Sequence, residues 1–164
     1  MSPTQPRPSG PPTGTPEDDP ADALLRRIGA QLIAVAPEGW RRIDFTATMA
    51  TMVEDFALTV VLPDGGTPPV DPPPGIKPDL MDLRHRMYEP GRGTWLSLRL
   101  VIDPPGSYVV DFNFDLDPRW DPPVPDVVFQ RDFEAYPRDP AHVPGWLRER
   151  LAGGAGDGER SPRP

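Results

Sequence analysis

Residues 95–114 read WLSLRLVIDPPGSYVVDFNF, and this stretch decides the fold. Leu96, Leu98, Leu100 and Ile102 alternate with Trp95, Ser97, Arg99 and Val101. Beyond Asp103-Pro104-Pro105-Gly106, a turn by composition, Tyr108, Val110, Phe112 and Phe114 alternate with Val109, Asp111, Asn113 and Asp115. A period of two with one apolar side is the pattern of strands buried on one face, so the stretch predicts an antiparallel hairpin.

A second hairpin is expected upstream. Ile43, Phe45, Ala47 and Met49 alternate with Asp44, Thr46 and Thr48, and Phe56, Leu58, Val60 and Leu62 repeat the pattern after a turn near residues 52–55. The rest reads as helix. Leu25, Ile28, Leu32 and Val35 fall at helical spacing over Ala21–Ala36, with Asp18 and Asp19 suited to the positive end of the dipole. Leu80, Leu83 and Met87 share a face of a short helix capped by Asp79. Phe129, Phe133 and Tyr136 predict a helix from Asp126, and Val143, Trp146, Leu147 and Leu151 predict a last one after Pro140. The resulting expectation is an α+β fold: a four-stranded antiparallel sheet of two hairpins, with helices on its apolar face and its polar face open.

Composition sets the limits. The chain has 164 residues and 27 prolines. Residues 1–20 and 152–164 hold almost nothing apolar to bury and are expected to form disordered proline-rich and glycine-rich tails. A single domain over residues 21–151 is the remainder. Pro63–Pro78 is expected to be a long loop that cannot join a central ladder. With no cysteine there are no disulfides, thiolate catalysis or cysteine metal sites. Net charge is −8, which disfavours phosphate backbones and anionic membranes and favours a basic protein partner. No span or apolar leader is evident, so cytoplasmic residence is the expectation. Lys77 is the only lysine, and the Arg, Ala, Gly and Pro bias is one associated with GC-rich bacterial genomes.

No catalytic set stands out. His85 and His142 each read as surface residues, without a nucleophile elbow or triad context. Gly65-Gly66 and Gly91-Arg92-Gly93 lack the strand-loop-helix setting of a phosphate loop. Asp111-x-Asn113-x-Asp115-x-Asp117 superficially matches the start of a calcium loop, but Leu116 and Pro122 occupy the positions that require glycine and glutamate. Neither a metal nor a cofactor is expected. The string reads better as one row of a strand. Asp103, Asp111, Asp115, Asp117, Asp121 and Asp126 lie near a single base, Arg119. This acidic row, with Trp95 and Trp120 read as exposed anchors, makes Trp95, Asp111, Asp115, Asp117 and Trp120 the candidate partner-binding residues. A plain solvated face is the alternative, as is a small hydrolase using the Asp111/Asp115 pair.

Several short segments carry a resemblance. Pro37-Glu38-Gly39-Trp40, Thr94-Trp95-Leu96-Ser97-Leu98 and Val110-Asp111-Phe112-Asn113-Phe114-Asp115 resemble YezG-like antitoxins, immunity proteins of bacterial polymorphic-toxin systems, over about Leu24 to Asp117. Asp117-Pro118-Arg119-Trp120, Tyr136-Pro137-Arg138-Asp139 and Pro144-Gly145-Trp146-Leu147 look like actinobacterial immunity-type proteins. The Pro63–Pro78 insert and both tails depart from the pattern. The resemblance implies a non-enzymatic inhibitor that binds a cognate toxin domain in the producing cell. A basic nuclease suits the acids best, with NAD-degrading and deaminase toxins as other classes. A secretion adaptor that holds an exported protein is the rival reading.

Overall fold

A computed structural model describes residues 19–157. Its elements are α1 (Pro20–Val35), β1 (Arg42–Met49), β2 (Glu54–Val61), α2 (Ile76–Arg86), β3 (Ser97–Asp103), β4 (Ser107–Asn113), α3 (Asp126–Ala135), a short 3-10 turn (Pro140–His142) and α4 (Gly145–Asp157). The strands form one antiparallel sheet in the order β2-β1-β3-β4. The fold is therefore α+β, with the two expected hairpins side by side.

Alternation places the core. Ile43, Phe45, Ala47 and Met49 of β1 and Leu98, Leu100 and Ile102 of β3 are buried on one side of the sheet. They meet Leu24, Leu25, Ile28 and Leu32 of α1 and Ile76, Leu80 and Leu83 of α2. α1 starts where its cap dictates: the Asp19 carboxylate accepts a hydrogen bond from the Ala21 amide at 3.0 Å, and Pro20 takes the first helical position. Asp18, also expected to support this end, lies outside the described residues.

Asp79 does not cap α2. The helix begins a turn earlier behind Gly75, because buried Ile76 anchors it and Pro78 falls where a backbone amide has no helical partner anyway. Asp79 instead accepts from Gln31 Nε2 at 2.6 Å and stands 3.3 Å from Arg27 Nε, joining α2 to α1. The loop expected over Pro63–Pro78 accordingly ends at Gly75.

α3 and α4 pack on each other beside the start of β3 and the end of β4. Phe129 and Trp146 meet edge to face at 5.7 Å between ring centres, and Val128 and Leu147 are buried there. α4 continues through Ala152 to Asp157, past the tail boundary expected after Leu151. The rest of the predicted tails, residues 1–18 and 158–164, lies outside the described residues.

Trp95 departs from the sequence reading. It was expected on the exposed side of its strand and is fully buried, its ring 6.1 Å from that of Phe112. Register explains the difference. Ser97 is opposite Asn113, yet the Leu96 amide also donates to the Asn113 carbonyl, at 2.7 Å. Two residues thus face one, as in a β-bulge, and the alternation slips by one position. The slip turns Trp95 into the core, so it is no partner contact.

Candidate partner-binding surface

The other side of the sheet carries Asp44, Thr46 and Thr48 of β1, Ala57 and Thr59 of β2, Arg99 of β3, and Val109 and Asp111 of β4; of these, Ala57, Thr59, Arg99, Val109 and Asp111 are exposed. Its acidity is broken by Arg42, which donates to Asp103 at 3.0 Å, and by Arg99. Arg99 reaches across to Asp44 with contacts of 3.1 and 2.6 Å and stands opposite Asp111 in the ladder. The hydrogen bond and charge of Asp44, with a smaller contribution from Asp111, hold the Arg99 guanidinium above its ordinary pKa.

The expected row of Asp111, Asn113 and Asp115 is not continuous. β4 ends at Asn113, whose side chain folds the chain over: it donates to Ser97 Oγ at 3.2 Å and to the Leu116 carbonyl at 2.8 Å, and accepts from the Leu116 amide at 2.8 Å. Asp115 therefore leaves the strand and binds Arg138 Nη1 at 3.1 Å. Asp111 remains on the open face beside Arg99, so the two carboxylates of the hydrolase alternative stand in different surroundings.

Beyond this fold-over, Asp117 accepts from the Arg119 amide at 2.9 Å, and the tight turn leaves Arg119 at φ 54°. That left-handed backbone costs a non-glycine residue about 1 kcal/mol or more, and such strain gathers at working surfaces. Trp120 is half-buried in a cleft with Asp117, Arg119, Val124, Phe129 and Arg150. Of the five expected contacts, Asp111 is exposed on the open face, Asp117 and Trp120 line the cleft with Phe129 and Arg150, Asp115 is exposed and paired with Arg138, and Trp95 is in the core.

Two exposed apolar residues went unread in the sequence. Val109 is 65% exposed and Leu116 74%. Val109 occupies a polar position of its strand, which was a usable signal; Leu116 is a single apolar residue between two acids, which was not. Val109 is two residues before Asp111 on the outer strand, and Leu116 is in the fold-over after it.

The sequence also hid two buried arginines. Arg84 donates to both oxygens of Asp132 at 2.5 and 2.7 Å and to the Trp95 carbonyl at 2.8 Å, with Tyr136 stacked against it at 5.0 Å. Thr51 binds the same Asp132 through its amide and hydroxyl, each at 2.9 Å. Arg138 donates to the carbonyls of His142, Thr94 and Phe114 as well as to Asp115. Burial pushes the Arg138 guanidinium below its ordinary pKa, and Asp115 pulls it back up. Gly93, at φ 95°, leaves the room that Arg138 occupies; a Cβ there would lie 2.5 Å from Nε. These side chains tie α3 and the segment after it to the bulged start of β3, and so hold the loop bearing Asp117 and Trp120 in place.

On another flank, Met49, Met52 and Met81 line a groove with Thr51, Ala135 and Tyr136. Its charged neighbours are taken: Lys77 pairs with Glu54 at 2.7 Å and Arg84 with Asp132. His85 and His142 are both exposed. Among the described residues no three His, Asp or Glu side chains are grouped to hold a metal ion, and no helix is long and apolar enough to cross a membrane. No protein-family model matches this chain, and no curated protein matches it either.

Proposed function

We propose that this protein is a non-catalytic immunity protein that binds and neutralises a cognate toxin domain in the cytoplasm of the producing bacterium. The observation that carries the reading is the set of residues on the outer strand and in the loop after it: exposed Val109 and Asp111 on β4, then exposed Leu116 and half-buried Asp117 and Trp120. Apolar contacts ringed by charge, on a rigid sheet and an anchored loop, are what a protein interface uses. The YezG-like segments supply the class of partner. Asp111, Asp117 and Asp121 suit a basic toxin surface such as a nuclease, on which carboxylates stand in for nucleic-acid phosphates.

Co-expression with the toxin candidate encoded beside the gene, in a sensitive host, tests this. The parent should protect cells and co-purify with the toxin. Trp120→Ala should speed dissociation, while Asp111→Asn and Asp117→Asn should slow association and flatten its salt dependence. A parent that neither protects nor co-purifies sinks the immunity reading and moves a secretion adaptor ahead of it.

A further inference from the structure

We infer that the partner docks by adding a strand to the free edge of β4, and that this strand is basic on one face and apolar on the other. The inference rests on the reading of this protein as a partner-binding module and specifies how the partner is held. β4 pairs with β3 on one side and is the last strand of the sheet. An edge strand keeps a row of amides and carbonyls facing outward, and such a row is a template for another chain. Natural sheets blunt such edges with lysine, proline or inward-pointing charge. Residues 107–113, SYVVDFN, contain neither lysine nor proline, and their one charge, Asp111, points to the open face.

The two sides of the edge specify what fits. On the open side stand Asp111 and exposed Val109, with Leu116 and Asp117 beyond the end of the strand. An arginine or lysine of the incoming strand would lie beside Asp111. On the helix side, Tyr108, Val110 and Phe112 are only half-buried. Next to Tyr108 a mostly apolar groove runs along α1, lined by Arg26, Gly29, Ala30, Ile33, Ile102 and Gly106. Apolar side chains of the added strand, alternating with its cations, would enter it. The opposite edge is less suited: β2 has no large exposed apolar residue and begins with Glu54-Asp55.

A second copy is the other candidate occupant. Antiparallel self-pairing about Val110 would set Tyr108 against Phe112 favourably, but it would bring the two Asp111 carboxylates to diagonal positions, roughly 7–8 Å apart. It would also join two chains that each carry a net charge of −8. Repulsion of like charges therefore selects a basic partner.

The test uses the full chain, nitrogen-labelled for NMR, and a short blocked peptide of alternating arginine and valine. Strand addition predicts that every second amide of residues 107–113 exchanges about tenfold more slowly with peptide bound, since only the outward-facing amides gain a partner. A peptide N-methylated along its bonding edge keeps its charge and should lose binding, and Asp111→Lys should abolish binding by the unmodified peptide. Uniform or absent protection, or equal binding of the N-methylated peptide, would overturn the proposal in favour of simple charge attraction. A dimer without peptide, with the outward β4 amides already protected, would overturn it in favour of self-pairing. Since the probe is not a toxin, failure here alongside protection in co-expression leaves the immunity reading standing. Alternating protection without any toxin partner leaves the docking edge standing.

Discussion

Arg84 is the residue on which the outer helices depend. Its side chain is 4% exposed and pairs with Asp132; Arg84 also donates to the Trp95 carbonyl, and Asp132 also accepts from Thr51. Removing one member of such a pair leaves an uncompensated buried charge, a loss of about 3–5 kcal/mol. Asp132→Ala should therefore unfold at markedly lower denaturant than the parent. The double change Arg84→Met, Asp132→Leu should recover much of that loss, because no charge is then left alone. Equal midpoints for parent and Asp132→Ala would show that Arg84 finds water instead. Tyr136, stacked on Arg84, gives a pH test. Burial is the largest influence on its phenol and raises the pKa above the ordinary 10.0, with the Arg84 charge opposing and Asp132 adding. The protonated form is favoured in the folded state, so its contribution is complete below the unfolded value and is lost as pH rises through the folded one. Phenolate absorbance should show one tyrosine ionising after the others, and Tyr136→Phe should lessen the alkaline loss of stability.

Within the elements, the hairpin of β3 and β4 ranks its own mutations. Leu98 is 2% exposed in the middle of the sheet, and Leu98→Ala should cost about 2–5 kcal/mol. Phe112 is on the edge strand, half-buried against Trp95, so Phe112→Ala should cost less than Leu98→Ala. Thermal melts of the two variants check the order, and a reversed order would mean that the Trp95–Phe112 contact outweighs central burial. Sequence reasoning placed both residues on the correct face because strand alternation is a local property, visible in Leu98-Arg99-Leu100 without knowledge of the neighbours. It failed at Trp95 because a bulge is a pairing event: that Leu96 donates to the carbonyl of Asn113, the partner of Ser97, depends on a residue many positions away. The same applies to α2, where Asp79 looked like a cap until distant Gln31 and Arg27 claimed it. At the candidate surface, charge and aromatic composition were enough to name Asp111, Asp115, Asp117 and Trp120. The pairing of Asp115 with Arg138 was not legible, since Arg138 belongs to a segment with no periodic signal.

For the molecule as a whole, the elements described run from the Asp19 cap of α1 into the last turns of α4. A chain trimmed to 19–157 should melt within error of the parent. A chain cut after Leu151 should melt lower, because α4 loses its last turns and the Leu151 carbonyl that accepts from Gln130 becomes a terminus. Equal melting of the two trimmed chains would assign those turns no part in stability. The arginine clamps bear on a longer timescale as well. Apart from Asp132 and Asp115, they grip main-chain oxygens: those of Trp95, Thr94, Phe114 and His142. A main-chain oxygen persists whatever side chain is attached to its residue. Exposed positions such as Leu116 and Asp121, and the side chain of His142, are therefore free to drift by substitution while the scaffold beneath them stays registered. The architecture thus separates heritable variation at the surface from constancy of shape.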